Sequence, residues 1–169
     1  MHKNLSITEK EKIKIYINEA LVFNKKHNIF TRANKDEVFE KDILDCIPLI
    51  EKINPKSKIL DLGSGGGFPG IVLAILRPDC EIHLLEKSQK KCYFLNKTKD
   101  VLGLPNIKVL KHTITKSNKL ESYSIITARA FSSTEKILSL TEKNLKKDGK
   151  YLLLKGRIEK IEEEMTAIN

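Results

Sequence analysis

At 169 residues the chain fits one domain, since a single core usually spans ~50 to ~200 residues before chains split. With 40% hydrophobic and 31% charged residues it has a globular composition, and no apolar run approaches the roughly 20 residues that would span a bilayer. A membrane role is therefore not expected. The segment behind Met1 lacks the apolar core of a signal peptide, so a cytoplasmic location is expected.

The net charge of +9 suits a polyanionic partner, because lysines that meet phosphates release counterions. Arginine, however, occurs only at Arg32, Arg77, Arg129 and Arg157, and the abundance of lysine, isoleucine and asparagine is also what an A+T-rich coding sequence produces. Charge alone thus leaves RNA binding open. Cys46, Cys80 and Cys92 are odd in number and widely spaced, which predicts neither a disulfide framework nor a metal site.

In chain order, Ile13, Ile17, Ala20, Leu21 and Asn24 recur at helical spacing, and Thr8-x-x-Glu11 has the form of a capping box, which predicts a helix over 8–26. A second stripe of Phe39, Ile43, Ile47 and Ile50 predicts a helix that starts near Asn34 or Asp36, kinks before Pro48 and ends at Pro55. Residues 1–56 thus read as an N-terminal helical segment.

From residue 57 strands and helices alternate, the pattern of a parallel sheet covered by helices. Strands are predicted at 58–62, 81–86, 107–110, 124–128 and 150–155, and helices at 69–76, 89–102, 133–145 and 158–167. The strands are near-continuous apolar runs, as expected when both faces of a sheet are covered.

The informative stretch is Ile59-Leu60-Asp61-Leu62-Gly63-Ser64-Gly65-Gly66-Gly67-Phe68-Pro69-Gly70, which runs from the first of these strands into the next helix. Such a turn can wrap a nucleotide-like ligand at the sheet's carboxyl edge. A dinucleotide fold wants Gly-x-Gly-x-x-Gly so that a pyrophosphate sits on the helix N-terminus and the third glycine lets helix and strand pack closely; here Phe68 stands at the third place. Asp61, two residues before Gly63, would repel a pyrophosphate but could help hold a cationic methionine moiety. Together with Gly65, this favours S-adenosylmethionine. Glu86 closes the second strand, where a carboxylate can accept both ribose hydroxyls.

The stretch from Leu60 to Ile71, with Arg77-Pro78, Leu84-Leu85-Glu86, Thr127-Ala128-Arg129-Ala130-Phe131 and Leu154-Lys155-Gly156, resembles the ribosomal RNA small subunit methyltransferase G family, also called glucose-inhibited division protein B. The Ala-Arg-Ala block is its most specific piece. The resemblance implies a Rossmann-like class I methyltransferase with strand order 3-2-1-4-5, which uses S-adenosylmethionine to form N7-methylguanosine in 16S rRNA of the small ribosomal subunit. It implies cofactor contacts at Gly63, Phe68, Thr113, Ile114 and Arg129, and RNA contacts at Lys90, Lys91 and Lys155.

Guanine N7 carries a lone pair and no proton, so transfer to it needs alignment and desolvation more than a general base. His27, His83 and His112 accordingly read as structural. Arg129 has a second reading, as the ion-pair partner of a carboxylate such as Asp61. Against relatives, the chain carries His112 where arginine is usual and Asp42 where histidine is usual, and it ends before a closing hairpin that relatives carry. An apparently truncated chain would leave its last strand as an apolar edge, which predicts low stability or self-association. Two alternatives remain at this level: an inactive RNA-binding remnant, and a methyltransferase acting on a non-RNA substrate.

Overall fold

Ser6 opens the first helix of the computed structural model, which describes residues 5–117 and 119–154. Helix α1 (Ile7–His27) starts two residues earlier than the Thr8 capping box would place it: Ser6 Oγ accepts from Glu9 N at 3.2 Å, and Glu9 returns a carboxylate to Ser6 N at 2.7 Å. The reciprocal pair satisfies two N–H groups that a helix end leaves orphaned. Lys25, Lys26 and His27 fill the last turn, where positive charge complements the helix dipole. Ile13, Tyr16, Ile17 and Ala20 form its buried stripe.

Asn34 caps α2 (Lys35–Val38), and the chain continues through a π-helical turn (Phe39–Ile43) and a 3-10 turn (Leu44–Cys46) into α3 (Ile47–Ile50). Pro48 explains the break. Its ring cannot donate to the carbonyl four residues back and crowds it, so the helix rewinds ahead of the proline. The π turn inserts extra rotation and shifts the phase of the stripe. Phe39 is left 37% exposed, contrary to the regular spacing, while Val38, Asp42, Ile43 and Cys46 turn inward. Helical winding ends at Ile50 and not at Pro55; Lys52 and Ile53 close single turns onto Leu49 and Ile50.

The remainder is β1 (Lys58–Leu62), α4 (Gly70–Leu76), β2 (Glu81–Glu86), α5 (Gln89–Leu102), β3 (Ile107–Lys111), β4 (Tyr123–Arg129), α6 (Thr134–Thr141) and β5 (Leu145–Leu154). All pairings are parallel in the order β3-β2-β1-β4-β5, as the sequence predicts. Three differences stand out. β4 extends to include Arg129, α6 gives way to a 3-10 turn at Glu142–Asn144, and β5 begins at Leu145. The register slips there: Tyr123 faces Leu145 but Ile125 faces Lys150, so the turn-like Lys146-Lys147-Asp148-Gly149 is looped out inside the strand. Lys155 and the helix expected at 158–167 lie outside the described residues.

Alternation along β1 divides the core. Ile59 joins α1, α4, α5 and the 38–53 segment on one face, and Leu60 and Leu62 join Ile137 of α6 on the other. Gly70 sets the spacing of the first layer, because a Cβ there would lie 2.2 Å from Leu84 Cδ2. The close helix-to-strand approach expected of a third glycine at position 68 is thus made two residues later. No helix among the described residues is long and apolar enough to cross a membrane.

Candidate functional site

Where β1 ends, the chain folds over the end of β2. Gly63 N and Ser64 N both donate to Leu85 O, at 2.8 and 3.1 Å, and Gly65 N donates to Glu86 Oε2 at 3.0 Å. Gly63 takes φ +65°, a conformation that side chains disfavour, and a Cβ there would stand 2.4 Å from Phe131 Cδ2. The loop therefore brings bare backbone to the carboxyl edge of the sheet.

A cavity of about 480 Å³ opens beside this loop, within the usual range for small-molecule sites. It brings together Gly63, Glu86, Thr113 and Ile114, with Lys91 at its border. Glu86 is nearly buried, and its other oxygen accepts from Ser88 N at 2.8 Å. A carboxylate offers about four acceptor positions, so two backbone bonds leave capacity for ligand hydroxyls. These features fit an adenosyl-type ligand: exposed glycine backbone, an acceptor at the end of β2, and the apolar Ile114 across from it.

The other expected cofactor contacts do not line this cavity. Phe68 and Arg129 lie across the glycine loop, against the N-terminal helices. The Phe68 ring is 5.1 Å from Tyr16 and 6.1 Å from Phe30, and the Arg129 guanidinium sits 6.0 Å from its centroid. Arg129 does pair with a carboxylate, but the partner is not Asp61. Its Nη1 is 2.6 Å from Asp42 Oδ1, its Nη2 is 3.7 Å from Asp45, and Nη2 donates to Lys41 O at 2.9 Å. Arg32 approaches Asp42 from the other side, with Nε–Oδ2 at 3.0 Å. Tyr16 completes the brace by donating its hydroxyl to Gly66 O at 2.6 Å. Burial raises the Tyr16 pKa, with Cys46, Asp42 and Asp61 acting in the same direction, so the phenol stays a donor.

Asp61 is fully buried, behind the loop and away from the cavity wall. Neither of its oxygens has a hydrogen bond of ordinary geometry, and a Cβ on Gly70 would come within 2.6 Å of Oδ2. Burial pushes its carboxyl up to about 7; nearby Ser64 and the Gly70 amide pull it back toward the anion, and the charge of Glu86 opposes them. Asp61, expected from spacing to help hold the ligand, is therefore not among the residues that line the cavity.

The lysines divide. Lys91 borders the cavity, Lys90 is exposed beyond it, and Lys87 and Lys136 border it from β2 and α6 without having been singled out. His83 is structural, sealed in the sheet with Nδ1 2.9 Å from the Tyr123 hydroxyl and Nε2 2.7 Å from Glu81. His27 stacks on Phe23 at 4.3 Å, whereas His112 is exposed on the cavity border and not packed in a core. Helical spacing puts Tyr16 on the α1 stripe with Ile13, Ile17 and Ala20 but gives no sign of its bond to Gly66, and nothing in the spacing pairs Asp42 with Arg32 or Arg129.

Comparison with known proteins agrees with the geometry. The family model described as rRNA small subunit methyltransferase G matches residues 9–168. A protein named ribosomal RNA small subunit methyltransferase G from Borrelia garinii subsp. bavariensis is 38% identical over 163 residues, covering 94% of this chain and 77% of its own length. One of the same name from Brachyspira hyodysenteriae is 38% identical over 161 residues, covering 95% and 78%. Among solved structures, coclaurine N-methyltransferase bound to N-methylheliamine and SAH superposes with a TM-score of 0.63 at 19% identity over 88% of this chain and 52% of that one. A putative S-adenosyl-L-methionine-dependent methyltransferase from Methanococcus maripaludis gives 0.61 at 17% identity over 99% and 74%. The fold is the Rossmann-like fold of S-adenosylmethionine-dependent methyltransferases.

Proposed function

This chain belongs to the rRNA small subunit methyltransferase G family, and from that membership we propose that it methylates N7 of a guanine in 16S rRNA with S-adenosylmethionine as donor. The observation that carries the reading is the convergence of Gly63, Glu86, Thr113 and Ile114 on one cavity at the carboxyl edge of β1, β2 and β3. Gly63 would give the cofactor its backbone, Glu86 would accept from the ribose, and Thr113 and Ile114 would border the adenine. Asp61, Gly65, Phe68 and Arg129 would hold the loop in shape from behind.

The cofactor supplies a methyl group on a positively charged sulfur. Attack by the N7 lone pair would form the new C–N bond as the C–S bond breaks with its electrons left on sulfur, and the purine would take up the positive charge. No proton moves at N7, so the chain's task is to align the base and exclude water. Lys90 and Lys91 would meet RNA phosphates, as would Lys155, beyond the described residues. Cytoplasmic location follows from such a substrate.

Transfer of a labelled methyl group to small ribosomal subunits, followed by chemical cleavage at N7-methylguanine, tests the reading. We expect one labelled guanine in 16S rRNA. Label on another atom, or only on free metabolites or protein, would overturn it.

A further inference from the structure

We propose that Phe131 is a substrate-contacting residue whose ring stacks on the guanine to be methylated. The inference rests on the reading above and assigns a side chain to the base. Phe131 follows β4, on the opposite side of β1 from the residues that would hold the cofactor. Gly63 and Glu86 end β1 and β2, and Thr113-Ile114 follow β3; in the order β3-β2-β1-β4-β5 these occupy one half of the carboxyl edge. Phe131 borders the same cavity from the other half, with its ring directly against Gly63. A group at the junction of the two halves stands where donor and acceptor must meet.

The backbone supports this placement. Arg129 turns toward Asp42 and Phe68 on one side of the sheet, and Phe131 packs with Ala128 and Ile137 on the other. Between them Ala130 takes φ +47°, a conformation rare outside glycine, and it throws the aromatic ring over the strand end. Such local strain persists where the surroundings impose it, and it concentrates at functional sites. The ring is only part-buried, so a face remains for a ligand.

An aromatic surface suits this acceptor for two reasons. Stacking on aromatic side chains is a general way to hold an unpaired base. Methylation at N7 also places positive charge on the purine, and an aromatic face attracts positive charge, so the contact strengthens as the new bond forms. Lys87, Lys91 and Lys136 border the same opening and would receive the flanking phosphates.

Two variants of the full chain test the role, Phe131→Leu to keep apolar bulk and Phe131→Tyr to keep the aromatic ring. Methyl transfer to small ribosomal subunits, affinity for S-adenosylhomocysteine and melting temperature are measured for each. We expect F131L to lose roughly 5- to 150-fold in kcat/KM, the range a lost base stack gives. Its S-adenosylhomocysteine affinity and melting temperature should stay near wild type, and F131Y should recover most of the transfer. Wild-type transfer by F131L, or a parallel loss of S-adenosylhomocysteine affinity, would overturn the stacking role while leaving the proposed function intact. A wild-type protein that binds S-adenosylhomocysteine but labels no rRNA would overturn both.

Discussion

Arg129 at the end of β4 reaches back across the glycine loop to Asp42 in the π-helical turn, Nη1 to Oδ1 at 2.6 Å, and so ties the N-terminal helices to the strand that precedes Phe131. Asp42 is almost sealed, and Arg32 also donates to both of its oxygens. Removing one partner of a buried pair leaves the other uncompensated; here Arg32 covers part of the loss. A double-mutant cycle with Arg129→Ala and Asp42→Ala should give a coupling of roughly 1–3 kcal/mol. For a chain of this size that corresponds to several degrees in melting temperature. Additive effects would show that the Arg129–Asp42 pair itself contributes nothing to holding the N-terminal segment.

Gly70 tests the packing beneath the glycine loop. In an exposed helix, alanine would be favoured over glycine by about 1 kcal/mol. Here its methyl would meet Leu84 Cδ2 at 2.2 Å and Asp61 Oδ2 at 2.6 Å, both fully buried. Overpacking of that kind costs roughly 1–3 kcal/mol and wins. Gly70→Ala should therefore lower the denaturant midpoint in chemical unfolding; an unchanged or raised midpoint would mean that α4 can lift from β2 at little cost.

The strands were legible because each is a short apolar run bounded by glycine, proline or charge, whereas their order came from the family resemblance and not from the pattern. The positions of Gly63 and Glu86 on the cavity were locatable for the same reason, because both sit at strand ends that the pattern places. What spacing could not show was direction. Asp61 falls on the side of β1 that α4 covers, so its carboxyl is buried behind the loop. The extra rotation of the π turn at Phe39–Ile43 exposes Phe39 and buries Asp42, and a regular 3.6-residue wheel hides that partner from Arg129. Phe131 stood in a quoted motif, yet its place over Gly63 depends on the left-handed backbone at Ala130.

Lys87, Lys91 and Lys136 border the cavity from two sides, so on the proposed function their contribution to RNA binding would be electrostatic and additive in phosphates neutralised. Each contact removed should flatten the dependence of log affinity on log salt by about 0.7 to 0.9. A Lys91→Ala, Lys136→Ala double variant is expected to bind rRNA more weakly at low salt and converge with wild type at high salt. Binding of S-adenosylhomocysteine should change little. Parallel salt plots for variant and wild type would place the RNA on another face.

Asp61 makes stability depend on pH in a direction opposite to most carboxylates. Its carboxyl is raised by burial to about 7 in the folded chain from an ordinary value of 3.8, so between those values the folded chain keeps a proton that the unfolded chain has released. The stability associated with the neutral form is full below about pH 4, declines as pH rises, and is lost once pH passes through 7. Above that the fold carries a buried anion at a cost on the order of 4 kcal/mol. Asp61→Asn keeps the size of the side chain and removes the titration. Comparing the two proteins cancels every other ionisable group, so the melting temperature of D61N relative to wild type should climb between about pH 4 and pH 7 and level off above that. A difference that stays flat across that range would show that the Gly70 amide and Ser64 solvate the anion fully, and that the carboxylate is ionised throughout.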